Sequence, residues 1–121
     1  MADEFRPKFG AWKSCVITQA TEDQLSAEVD LGYDFTHINV LVPTITSAGI
    51  SARISNVKGG TFYPVYDWID SDADTDVLQL TLAETTSKAI TLKIGSARHI
   101  KIHSSNAQSG NVTFLVRGAN L

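Results

Sequence analysis

The sequence predicts an all-β protein: a single antiparallel β-sandwich or jelly roll of about eight strands, with an extended N-terminal arm. Three observations lead there. Apolar and polar residues alternate with period two along most of the chain, the pattern of strands with one dry and one wet face. No window of useful length carries the i, i+3, i+4, i+7 spacing of an amphipathic helix. The alternating segments are short and separated by Gly, Ser, Asn and Asp, the punctuation of sandwiches and barrels.

Taken in order, residues 1–10 show no alternation and place Phe5 and Phe9 on either side of Pro7. They read as an arm, and residues 11–121 as the domain. Such an arm either frays or docks its phenylalanines on a neighbouring subunit. Lys13 to Ile17, around Cys15, reads as the first strand. Leu25, Ala27, Val29 and Leu31 then alternate with Gln24, Ser26, Glu28 and Asp30. Ile38, Val40 and Val42 repeat the pattern up to Pro43, which cannot donate to a ladder and so marks an end. Ile50, Ala52 and Ile54 lead into Lys58-Gly59-Gly60, whose glycines turn the chain at no steric cost into Thr61-Phe62-Tyr63. That region is a hairpin. Leu78, Leu80 and Leu82, then Ile90, Leu92 and Ile94, then Ile100 and Ile102, and finally Val112, Phe114 and Val116 mark the remaining strands.

Composition narrows the function. With 121 residues, 43% of them hydrophobic and 19% charged, the chain fits one globular domain. A net charge of −3 argues against a nucleic-acid partner, which asks for a basic balance. No stretch reaches the roughly 18–20 apolar residues of a membrane span, and Met1 to Gly10 lacks the apolar run of a secretory signal. The single cysteine, Cys15, cannot form an intrachain disulfide, which suits folding in a reducing cytoplasm.

No set of residues converges on a chemistry. His99 and His103 would pair on a helix, but on a strand four residues separate them by roughly 13 Å, too far to share a metal ion. His37 could join them only through tertiary contact. Arg98, His99, Lys101 and His103 form a local basic strip: a solvated strand face, or a contact for an acidic partner. Asp70, Asp72, Asp74 and Asp76 resemble the opening of a calcium loop, yet Thr75 and Thr81 stand where such a loop needs glycine and glutamate. No serine sits in a nucleophile elbow, and Cys15 suits a small core residue. Lys58-Gly59-Gly60-Thr61 lacks the remaining glycine and the helix of a phosphate loop. Carboxylate spacing neither favours nor excludes glycoside hydrolysis. The expectation is a binding protein and not an enzyme, without a cofactor. Tyr63, Tyr66 and Trp68 lie close enough in sequence to form a sugar platform, although alternation puts Phe62, Tyr66 and Trp68 on one face and Tyr63 on the other, and a face of three large aromatics also suits a core.

Three stretches between Phe35 and Arg117 resemble small virion proteins of tailed bacteriophages. They are Ile38-Asn39-Val40-Leu41-Val42-Pro43-Thr44, then Ile54 to Tyr66 around Val57-Lys58-Gly59-Gly60-Thr61-Phe62, then Arg98-His99-Ile100-Lys101-Ile102-His103-Ser104-Ser105. Ala107-Gln108 and Thr113-Phe114-Leu115-Val116 follow the third. Lys58 departs from the pattern, where those proteins carry aspartate before the double glycine. The resemblance implies a β-sandwich that decorates the head or contributes to the tail. It implies the major capsid protein or other virion proteins as partners, a homo-oligomer such as a trimer, a place in the virion after folding in the host cytoplasm, and no catalytic residue. Phe5, Phe9, Arg98, Lys101 and His103 are the candidate partner-binding residues. Tyr63, Tyr66 and Trp68 are the candidates for the alternative, a carbohydrate-binding module.

Overall fold

The structure is a computed structural model of the chain, and it describes residues 7–18, 24–46, 48–65, 79–82, 87–106, 108 and 110–121. Seven strands follow one another: β1 (Lys13–Ile17), β2 (Val29–Val42), β3 (Ala48–Ser55), β4 (Tyr63–Pro64), β5 (Gln79–Leu82), β6 (Lys88–Ser104) and β7 (Val112–Ala119). They form one hydrogen-bonded sheet in the order β1-β7-β2-β6-β3-β4, with β5 also on β3. Ala48–Ser51 pair with β5, and Arg53 and Ile54 pair with β4. Strands β4 and β5 thus share one outer edge. All the pairings are antiparallel. No helix among the described residues is long and apolar enough to cross a membrane.

Where about eight strands are expected, the described residues form seven, in one antiparallel sheet. Two pairs of expected strands are each one long strand. Val29–Leu31 and Ile38–Val42 belong to the 14-residue β2, and Ile90–Ile94 and Ile100–Ile102 belong to the 17-residue β6. Glycines that look like turns in the sequence are irregularities inside a strand. Gly32 (φ 92°), Gly95 (φ 82°) and Ser96 (φ 110°) lie where the pairing of β2 with β6 shifts register, between Asp30 and His37. Such bulges bend a strand and sharpen its twist without ending it.

That bend lets the sheet cover its own face. Before it, Val29 and Asp30 pair with Ile100 and His99, and the same end of β6 borders β3. Beyond it, His37–Val42 pair with Lys88–Lys93 on one side, and His37–Leu41 pair with Leu115–Ala119 on the other. Strand β1 pairs with β7, and at its end Ile17 bridges Ser26 while Val16 accepts a hydrogen bond from the Ala27 amide. Inward residues of both halves meet in one cluster that includes Cys15, Val29, Phe35, Val40, Ile50, Leu92, Ile102 and Phe114.

The segment before β2 departs from simple alternation. Val29 and Leu31 are buried as expected, but Ser26 is buried and Ala27 exposed. The reason is a hydrogen bond: the Ser26 hydroxyl accepts from the Ile102 amide at 2.9 Å and donates to the Ala27 carbonyl, satisfying a buried backbone donor. Buried Gln108 does similar work for the β2–β3 loop, accepting from the Thr46 amide and donating to the Thr46 carbonyl. The glycine hairpin is present between β3 and β4. Ser55 Oγ donates to the Val57 carbonyl and accepts from its amide, Gly59 has φ 74°, and the Gly59 amide donates to Glu28 Oε1.

The candidate functional site, a cleft at the sheet corner

The bend brings residues from three places to the mouth of one cleft of about 590 Å³. Asp34 comes from the bulge of β2, and Ser96, Arg98 and His99 from that of β6. Asn56 and Tyr63 come from the β3–β4 hairpin, with Ile54, Pro64 and Ala97 supplying apolar wall. Tyr63 is the most exposed aromatic there, at 61%.

Asp30 holds this corner together. Its Oδ1 accepts from the Gly32 amide at 2.8 Å and from Arg98 Nε at 2.7 Å, and its Oδ2 accepts from Arg98 Nη2 at 3.1 Å. One carboxylate thus ties the bulge of β2 to that of β6. The Arg98 hydrogen bonds and the Gly32 amide hold the Asp30 carboxyl well below the usual aspartate range. Ser96 occupies the left-handed half of backbone space, where a residue with a Cβ costs about 1–3 kcal/mol. Glycine would take that conformation freely; here the residue lining the cleft is a serine.

The basic strip is matched from within. Arg98 is paired with Asp30, and His99 Nδ1 lies 3.3 Å from Glu28 Oε2, an ion pair when the ring is protonated. Lys101 Nζ sits 4.9 Å from the centre of the Phe62 ring, a cation–π contact. His103 is half-buried and bridges Leu25. His37 accompanies Lys93 and Ala119 across the sheet, and its Nδ1 shares a hydrogen bond with Thr36 Oγ1. No group of three or more His, Cys, Asp or Glu among the described residues is placed to hold a metal ion.

Phe9 lies against its own chain. It bridges Ala119, with the Gly10 amide bonded to the Gly118 carbonyl and the Asn120 amide bonded to the Lys8 carbonyl. The Arg117 guanidinium lies 4.3 Å from the Phe9 ring centre and 4.7 Å from that of Trp12. Residues 7–10 are therefore laid along the end of β7. Cys15 is buried on β1, where desolvation pushes its thiol pKa up against a smaller opposing hydrogen bond from Ser26. A thiol so placed is a core residue. Phe5, Tyr66, Trp68, Asp67, Asp70, Asp72, Asp74 and Asp76 lie outside the described residues.

Of the aromatic candidates, Tyr63 opens onto the cleft, whereas Phe62 faces Lys101. Sequence reasoning missed Asp34, Asn56 and Ser96. For Asp34 and Ser96 the one sequence signal is a glycine interrupting an alternating run, at Gly32 and Gly95, which marks a bulge more often than a turn; Asn56 belongs to the glycine hairpin after β3. Comparison with protein-family models, curated proteins and solved structures finds no match to this chain.

Proposed function

We propose that the chain is a structural protein of a tailed-bacteriophage virion, a head decoration protein that binds the capsid lattice through its surface and carries no catalytic centre. The observation that supports this most is the outer face of the sheet around β7. Leu115 stands in register between Ser14 and Leu41, and Leu41 in turn faces Ala89. Leu115 and Leu41 are about 40% exposed, and Val16, Trp12 and Phe9 add further exposed apolar surface on the same strands or beside them. Apolar residues gathered on one rigid face mark protein contacts more often than scattered ones do. Under this reading the curled sheet serves as a sandwich-like wall, the copies form a closed oligomer such as a trimer on a local threefold axis, and the protein resides in the virion. The three phage-like stretches support the same assignment. Many weak contacts repeated over a lattice then add through multivalency.

The test is co-sedimentation of the purified protein with undecorated phage heads on a density gradient. Copies equal to the number of lattice positions, lost in a Leu41→Lys/Leu115→Lys variant that keeps its strand signal, support decoration. A handful of copies per particle means a vertex or tail component instead. Absence from the particles rejects the virion reading for that phage.

A further inference from the structure

We infer that the corner cleft is a binding site for a neutral pyranose sugar, an activity independent of attachment to a particle. Its walls combine what such a ligand needs. A pyranose has an apolar face of C–H bonds and an equatorial rim of hydroxyls. The exposed Tyr63 ring, with Pro64 and Ala97 nearby, offers an apolar surface, and an aromatic ring is a large, stiff platform with a polar tip. Around it stand Asp34, Asn56, Ser96 and Arg98. A carboxylate accepts, a guanidinium donates, and an amide or hydroxyl does both. Adjacent hydroxyls of a sugar ring require that mixture.

Charge selects against the alternatives. Arg98 is already held by Asp30, and Asp34 and Glu28 add negative charge on the cleft side and behind His99. A phosphate or sulfate group would meet these carboxylates with one guanidinium whose charge is already matched. A purely apolar ligand would strand the polar wall without partners, which costs free energy for each buried group. An uncharged polyol fits both constraints. Arg98 and Asp30 also keep the donor in place before a ligand arrives, so little side-chain freedom is lost on binding. The strained serine at position 96 fits the same account, because its side chain is what glycine would lack there.

The experiment is a titration of the ¹⁵N-labelled full chain with glucose, galactose, mannose and N-acetylglucosamine, each alone, followed by amide shifts, with inorganic phosphate as the charged comparison. The expected result is a saturable shift with at least one sugar at Asn56, Tyr63 and Ser96 to His99, and none with phosphate. Tyr63→Ala should weaken that binding by about ten-fold or more while leaving core amides such as Ile38 and Phe114 unshifted. Ser96→Gly keeps the backbone conformation and should weaken it by a few-fold. Four flat titrations overturn the inference, as do phosphate saturation, shifts that map away from the cleft, or binding that Tyr63→Ala leaves intact. None of these outcomes depends on whether the protein sediments with phage heads.

Discussion

The Phe35 ring fills the space beside Gly118 where a side chain would stand: a methyl group built on that glycine would lie 2.0 Å from the ring's Cδ2 atom. Phe35 is fully buried, and Gly10 approaches the same ring from its other neighbour, the segment bonded to the Gly118 carbonyl. One of the two fully buried phenylalanines, with Phe114, therefore sits where β2, the end of β7 and the N-terminal segment converge.

Gly118→Ala should destabilise the protein by about 2–3 kcal/mol through overpacking, and Phe35→Ala by about 3–5 kcal/mol through the cavity it leaves. Denaturant unfolding measures both. In a Phe35→Leu background the Gly118→Ala penalty should shrink, because the ring that clashes is gone; two penalties that simply add would show that the two residues do not share the site.

Arg117 fastens the N-terminal segment. It stacks on Phe9 and Trp12 and donates from Nε to Asn39 Oδ1 at 3.0 Å. Each cation–π contact of this exposure contributes about 0.5–1 kcal/mol. Arg117→Ala should therefore raise hydrogen exchange at the Gly10 and Asn120 amides, whose bonds hold the segment on β7, with core strands unaffected. Unchanged exchange at those two amides would show that the backbone bonds suffice.

Cys15 should resist a disulfide-exchange reagent at mildly alkaline pH in the native protein and react fully in denaturant. It is 4% exposed, and burial raises its pKa, so the thiolate is scarce while the fold persists. The sign for stability follows. A group whose folded pKa lies above the unfolded one contributes fully below the unfolded value, and the contribution is lost as pH rises through the folded value. Cys15→Ser, which cannot ionise in this range, should narrow the gap to wild type as pH rises above about 9.

The Asp30–Arg98 pair has the opposite dependence. The folded pKa of Asp30 is depressed, first by the Arg98 hydrogen bonds and then by the Gly32 amide. Its contribution is whole above the ordinary aspartate range, near pH ~4, and disappears as pH falls through the depressed folded value. Both side chains are more than 40% exposed, so solvent screens the pair and the effect is small. Asp30→Asn should lower the denaturation midpoint slightly at neutral pH, with the difference closing in strong acid and in high salt.

The sequence on its own determined the class of fold and most of the inward residues. Period-two alternation is a local property, since each strand side chain points opposite to the last, and Ile38, Val40, Ile50, Leu92, Ile102 and Phe114 are all buried as that pattern requires. The Lys58-Gly59-Gly60 hairpin was equally legible, because a tight turn is decided by the residues within it. What only the tertiary structure decided was continuity. Gly32 and Gly95 are compatible with a turn or a bulge, and the choice rests on whether the flanking runs find the same partner strand, which no local pattern records. That choice merged four expected strands into β2 and β6, bent both at one corner, and so created the cleft. Asp34, Ser96 and Arg98 meet Asn56 and Tyr63 there because β2 and β6 pair on both sides of their bulges and β6 also borders β3, with Asp30 bridging the two bulges. Contacts of that kind depend on register between distant segments, and register is fixed by the burial of a whole face together.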